Sequence, residues 1–190
     1  MEKIEEKVMA AFETADEETR TSVMNLLGVA PTPVTERVKT MDDVMAELGE
    51  NHPLVVAYSR YLESTDIEMR DRHLLAYLKL RMVAEALNEG WYPQYLDEES
   101  HWYPEFTVFE NMKDVKQAFG DVGADGLLSL PYLRQIYQFH GRFAVVETME
   151  QFAGPGCAKD YPFFLCYKTH ELALHAGMNF PELWCEWLFL

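Results

Sequence analysis

The sequence is poor in cysteine and in basic residues. Its three cysteines, Cys157, Cys166 and Cys185, are an odd number and form no Cys-x-x-Cys pair, which argues against a disulfide framework or a zinc knuckle. With 16 Lys and Arg against 32 Asp and Glu, the formal net charge is -16. A charge of this sign repels phosphate backbones, so we expect no non-specific binding of nucleic acid.

Long hydrophobic runs are also absent. No stretch approaches the roughly 20 apolar residues of a membrane span, and the first residues lack the basic start and apolar run of a signal peptide. Together with the few thiols, these absences predict a cytoplasmic protein that enters no membrane. The chain does contain enough apolar side chains to form a hydrophobic core, because 48% of its 190 residues are hydrophobic and 13% are aromatic.

The first 27 residues are predicted to form a helical hairpin that docks loosely on the rest or reaches a neighbour as an arm. Apolar residues recur at helical spacing from 2 to 13, and Thr14 begins a capping box for a second helix. Pro31 and Pro33 cannot continue that helix, so residues 28–33 are predicted to be extended, within a connector of residues 28–36. We expect residues 1–190 to form a single domain.

Helical patterns dominate up to Gly90. Thr40 and Pro53 are typical helix starts. Thr65 is predicted to cap a long helix that ends at Asn88 and carries apolar residues on most of its sides. A helix of this kind is expected at the centre of the core.

After Gly90 the residue pattern favours strands. Segments 106–109, 143–146 and 163–167 are rich in aromatic and β-branched residues and are predicted to be strands, the last two paired antiparallel. The pattern of 131–139 is ambiguous between helix and strand.

Helical signals return between and after these strands. Asn111 to Phe119 has a helical pattern, Thr169 is a typical N-cap, and Asn179 with Glu182 is predicted to cap a final helix. We therefore predict an α+β fold, with a helical N-terminal half followed by a small antiparallel sheet packed with C-terminal helices.

Four stretches of this sequence resemble known proteins. They read TERVKT at 35–40, ALNEGWYP at 86–93, YPEF at 103–106, and KTHELA at 168–173 with a following Leu183-Trp184. In combination they resemble an uncharacterised family of phage and prophage proteins from gut Bacteroidales. The family has no activity to carry over, so the resemblance implies a genomic setting rather than a mechanism.

No motif indicates a metal or a cofactor. His170 and His175 are five residues apart, about 140° around a helix, whereas two histidines that bind one zinc ion from one helix are four apart. We therefore predict no metal site and no cofactor.

Two residues keep an enzymatic alternative open. Cys157 follows a Gly-Pro-Gly turn and is a candidate nucleophile, although an incidental thiol on a loop is the favoured interpretation. Lys79 has apolar helical neighbours, and a desolvated lysine can lose its proton, but an aliphatic stem lying along that surface is favoured. We expect no enzymatic activity, with an enzyme using Lys79 or Cys157 as an alternative.

Aromatic residues after Gly90 are the candidates for a binding surface. The predicted binding residues are Trp91, Tyr92, Tyr95, Trp102, Tyr103 and Lys79. Packing of the aromatic rings over the sheet is favoured, and a recognition surface is the alternative, because Trp and Tyr are also common anchors of interfaces.

The last eight residues form a second candidate interface. Segment 183–190, which contains Trp184, Trp187 and Phe189, is apolar at every position except Glu186. A helix without a polar face must be buried in the protein's own core or against a partner. Self-burial is favoured, and a homodimer contact is the alternative.

The leading hypothesis is a non-enzymatic accessory or interaction protein encoded by a phage or prophage, located in the host cytoplasm and binding a protein partner or a second copy. An acidic decoy that imitates DNA and binds a host or phage DNA-processing protein is the alternative.

Overall fold

The structure is a computed structural model that describes residues 19, 22–24, 32–66, 71–94, 100–120, 136–152 and 163–189. The predicted α+β class is confirmed: helices come first, a three-stranded antiparallel sheet lies in the middle, and helices follow it. The helices after residue 32 are α1 (Val34–Arg37), α2 (Met41–Leu48), α3 (Pro53–Ser64), α4 (Arg72–Asn88), α5 (Met112–Phe119), α6 (His170–Asn179) and α7 (Pro181–Phe189). The strands are β1 (Ser100–Phe109), β2 (Ile136–Phe139) and β3 (Arg142–Phe152), and a 3-10 helix spans Phe163–Leu165.

Several helix starts are where local capping chemistry predicts them. Thr40 forms a full capping box with Asp43 at the start of α2, and Pro53 is the first residue of α3. The pKa of the Asp43 carboxyl is lowered because it accepts hydrogen bonds from the backbone of Lys39 and from Thr40. Thr169 likewise accepts a hydrogen bond from the backbone of Leu172 at the start of α6.

The prediction that Thr65 caps the long central helix is wrong. Thr65 ends α3, and Asp71 caps α4 by accepting a hydrogen bond from the backbone N–H of Leu74 at 3.1 Å. Both residue types favour N-caps, and here the carboxylate of Asp71 satisfies the free N–H of the first turn. Asn179 also takes another role, because its side-chain amide donates to the carbonyl oxygen of His175.

A helix begins within the predicted connector 28–36, directly after the part predicted to be extended. Pro33 immediately precedes α1, whose first residue, Val34, is buried. A proline at this place favours helix initiation because its φ is already helical. Of the predicted N-terminal hairpin, Thr19 and residues 22–24 are helical, and its other residues lie outside those described.

The sheet has the strand order β1-β3-β2, with β3 antiparallel to both neighbours. Segment 163–167 is not the predicted strand partner of β3. It begins with the 3-10 helix, and Tyr167 forms an isolated antiparallel bridge with Trp102 of β1. The apolar pattern of this segment has another cause, which is the burial of Leu165, Cys166 and Tyr167 in the core.

Helices pack on both faces of the sheet. On one face α6 approaches so closely that a Cβ added at Gly177 would lie 2.6 Å from Val146 Cγ1 and 2.9 Å from Pro104 Cβ. On the other face Val115 of α5 is buried against Val145 of β3. The sheet is therefore the middle layer of the described fold.

Helix α7 buries most of its apolar side chains within the molecule. Trp184 is fully buried, with its ring centroid 6.1 Å from that of Phe106. Trp187 is partly buried against Tyr77 of α4 and against Trp184. Among the helices described, none combines the length and the apolar character needed to span a membrane.

Candidate interaction surface

Two large aromatic side chains lie exposed next to each other near the end of α4. Tyr92 is 50% exposed and Phe164 is 43% exposed, and their ring centroids are 6.0 Å apart in an edge-to-face arrangement. The guanidinium carbon of Arg81 lies 4.7 Å from the centroid of the Phe164 ring. We call these three residues, Arg81, Tyr92 and Phe164, the aromatic patch.

A sharp reversal of the chain brings Tyr92 to this position. Helix α4 ends where Glu89 and Gly90 adopt positive φ angles of 49° and 78°. The N–H of Trp91 then donates to the carbonyl oxygen of Asn88 at 2.9 Å. Because glycine adopts positive φ without steric cost, Gly90 allows the chain to fold back toward Phe164.

Asn88 connects α4 to the segment that carries Phe164. Its side-chain amide donates to the carbonyl oxygen of Cys166 at 2.9 Å, and its side-chain oxygen accepts from the backbone N–H of Lys168 at 3.1 Å. Asn88 is itself buried. Both ends of its side chain are used, so this contact fixes segment 164–168 along α4 and sets Phe164 beside Arg81.

Ion pairs surround the Asn88 contact. Glu89 accepts from Arg37 of α1 at 2.7 Å and lies 3.6 Å from the ammonium nitrogen of Lys168. Arg37 also pairs with Glu47 of α2. These side chains are partly exposed, so we expect them to contribute orientation more than stability.

Three of the four sequence stretches quoted above meet here. Arg37 and Val38 come from the first, Asn88 and Glu89 from the second, and Lys168 begins the last. His175 from the same C-terminal region extends the contact: its Nε2 lies 2.6 Å from the carbonyl oxygen of Val38. Since a carbonyl only accepts, Nε2 is the protonated nitrogen.

The predicted binding residues do not form one surface. Tyr103 is fully buried in the core. Trp91 and Trp102 are partly buried, each ring lying against a histidine, His101 and His170 respectively. Of this aromatic group only Tyr92 is among the exposed large hydrophobic residues of the described chain, and Tyr95 lies outside the described residues.

Lys79 lies apart from the patch. Its ammonium nitrogen is 5.8 Å from the centroid of the Tyr58 ring of α3. Positions 79 and 81 are about 200° apart around a helix, so Lys79 and Arg81 point to different neighbours. Of the predicted interface residues, Trp184 and Trp187 pack within the molecule, whereas Phe189 is 42% exposed at the end of α7.

The two described thiols and the phenol of Tyr167 are buried. Cys166 and Cys185 are buried, and burial raises the pKa of Cys185 to about 12. Burial, with a smaller effect from Cys166, also raises the pKa of Tyr167. No group of three or more His, Cys, Asp or Glu residues within the described ranges is placed to hold a metal ion, and Cys157 lies outside those ranges.

Arg81 and Phe164 are absent from the binding residues predicted from the sequence. Arg81 belongs to a segment of mixed charge that is typical of a solvated helix face, yet its side chain is partly buried and its Nε has no hydrogen-bond partner in the described part of the chain. Phe164 lies in an apolar run that predicts a buried strand. The two consecutive aromatic residues at 163–164 were the sequence signal for an exposed ring. Adjacent residues of a strand point to opposite faces, so both rings could not have pointed to the same buried face.

Comparisons with protein-family models, with curated proteins and with solved structures found no match for this chain.

Proposed function

We propose that this chain is a non-enzymatic accessory or interaction protein, of a kind encoded by phages and prophages, and that it binds a protein partner through the aromatic patch. The observation that carries the proposal is the exposed pair of Tyr92 and Phe164 with Arg81 over one ring. Tyr and Arg are among the residues that contribute most to binding energy in protein interfaces. Together they present flat apolar area and hydrogen-bond donors at one place.

The patch is also held in position before any partner arrives. Phe164 is followed directly by three buried residues, and the Asn88 amide ties the same segment to α4. A surface that is ordered in advance loses little side-chain and loop entropy on binding. Residues from three of the four sequence stretches quoted above contribute to the contacts that hold the patch.

The experiment is an affinity pull-down from infected or lysogenic cells with three versions of the chain. They are the wild type, the double variant Tyr92→Ser with Phe164→Ser, and the control Leu74→Ser, which removes a similarly exposed apolar side chain from the other end of α4. Captured proteins are quantified by mass spectrometry. We expect at least one protein to be depleted about tenfold by the double variant and not by the control.

Crosslinking locates the contact directly. A photoreactive phenylalanine at position 92 is expected to crosslink the same protein, and one at position 74 is not. Equal capture by the double variant would contradict the proposal. Capture of DNA-processing proteins that is abolished by salt but not by the double variant would favour the acidic decoy instead. Turnover of a small molecule without a specific partner would favour an enzyme.

A further inference from the structure

A cavity of about 350 Å³ lies at the end of the sheet where β2 turns into β3. This volume is within the range of small-molecule sites. Its lining includes Glu110, Phe139, His140, Arg142 and Phe189. We call it the hairpin cavity. Val108, near the last residue of β1, also lines it. Tyr167, three residues after Phe164, instead bridges to Trp102 near the first residue of β1. The cavity and the aromatic patch are therefore near opposite ends of this strand.

Arg142 is the polar anchor of the hairpin cavity. Its Nε lies 3.1 Å from a carboxylate oxygen of Glu110. Its two terminal nitrogens make no hydrogen bond or ion pair with residues in the described ranges. A guanidinium is planar, so a contact at Nε orients the terminal nitrogens, which together match the two oxygens of a carboxylate.

Two phenyl rings supply an apolar wall. Phe139 comes from the end of β2 and Phe189 from the end of α7, and both line the same cavity as the guanidinium. Phe189 keeps 42% of its surface exposed. Aromatic rings pack well edge-to-face or offset against other rings, so this wall fits a flat aromatic body next to the charged end.

His140 has a positive φ angle in the turn between β2 and β3. The turn residues His140 and Gly141 have φ angles of 47° and 80°, and a two-residue turn with two positive φ angles strongly favours Asn-Gly. Histidine, like asparagine, adopts positive φ more often than most non-glycine residues, but it is not among the residues that this turn type favours most. The chain nevertheless places an imidazole here, 4.4 Å from the Phe139 ring between centroids and lining the cavity.

We propose that the hairpin cavity binds a small aromatic carboxylate. The carboxylate lies on the terminal nitrogens of Arg142, the imidazole of His140 donates a second hydrogen bond, and the aromatic ring packs against Phe139 and Phe189. The net charge of -16 opposes anions at long range. At physiological ionic strength this repulsion is screened beyond about 8 Å. The charged groups that act on an anion inside the cavity are therefore the guanidinium of Arg142 and the carboxylate of Glu110, which is paired with the Nε side of that guanidinium.

The test is an NMR titration of the isotope-labelled full chain with 3-phenylpropionate, and with 3-phenylpropionamide as the uncharged probe. We expect saturable shifts of the Gly141 and Phe189 amide signals with the carboxylate, and binding about tenfold weaker with the amide. Arg142→Gln is expected to weaken carboxylate binding to the level of the amide. Arg60→Gln, which removes an exposed arginine from α3, is the matched control and is expected to change nothing.

His140→Asn keeps the proposal testable if other variants perturb the fold, because asparagine suits this turn better than histidine. It is expected to raise the melting temperature slightly while weakening carboxylate binding. Equal affinities for the two probes, or shifts that do not saturate, would overturn the proposal. Loss of the aromatic patch by Tyr92→Ser and Phe164→Ser is expected to leave the titration unchanged, so this result is independent of the proposed partner.

Discussion

Replacement of Asn88 by alanine tests whether one buried amide holds the aromatic patch in place. The change removes the donor to the Cys166 carbonyl oxygen and the acceptor for the Lys168 N–H. Cys166 is almost fully buried, so its carbonyl loses a partner that water replaces poorly, at a cost of about 1–3 kcal/mol. The Lys168 N–H is only partly buried, and loss of its hydrogen bond costs about 1 kcal/mol.

A smaller effect acts in the opposite direction. Asn88 is the last residue of α4, and alanine favours a helix over asparagine by about 0.5 kcal/mol. The expected net loss in the free energy of unfolding is therefore about 1.5–3.5 kcal/mol. Asn88→Asp is expected to cost at least as much, because it keeps the acceptor for Lys168 but places an oxygen against the carbonyl of Cys166.

Urea unfolding followed by tryptophan fluorescence measures this loss. The denaturant dependence of the free energy should stay the same, so that the midpoint alone shifts. Asn51→Ala, at an exposed position in the turn before α3, is the control and is expected to change stability by less than about 0.5 kcal/mol. If Asn88→Ala is no more destabilising than this control, the amide does not fix the segment, and the aromatic patch is not ordered by this contact.

Three further predictions concern other parts of the fold. Gly177→Ala should lower the melting temperature, because overlap of the added methyl group with Val146 and Pro104 costs about 1–3 kcal/mol. The gain in helix propensity, about 1 kcal/mol, offsets only part of this cost. A higher melting temperature in calorimetry would show that α6 moves away from the sheet without cost. Asp43→Asn should lower the melting temperature at pH 7, because the ionised carboxylate of Asp43 stabilises the folded chain. The pKa of this carboxyl is lowered in the folded chain, so the difference in melting temperature between wild type and variant should narrow as the pH falls below the ordinary pKa of 3.8. A difference that stays constant from pH 7 to acid would contradict this. Cys185 should be alkylated at pH 8 about a thousandfold more slowly in the folded than in the unfolded chain, since burial raises its pKa to about 12. Peptide mapping locates the labelled cysteine. Rapid labelling of Cys185 would show that α7 opens readily.

Local chemistry made the helix starts predictable. Thr40, Pro53, Asn111 and Thr169 begin helices as expected because capping depends on residues within one turn of each other. The same locality explains the error at Thr65. Asp71 has the same capping chemistry, and a choice between two suitable caps depends on where the helix packs. The order of helical and strand-rich segments was sufficient to predict the α+β class.

Exposure was decided by the tertiary structure, and the candidate site depends on exposure. Tyr92 and Tyr103 have the same side chain and both follow Gly90, yet one is half exposed and the other fully buried. Phe164 lies within an apolar run but is exposed because the run forms a 3-10 helix and a single bridge instead of a strand. Hydrogen bonds between neighbours and hydrophobic periodicity are short-range and can be predicted from sequence, whereas the contacts of Asn88 with Cys166 and Lys168 join positions about 80 residues apart and form only when the chain has folded.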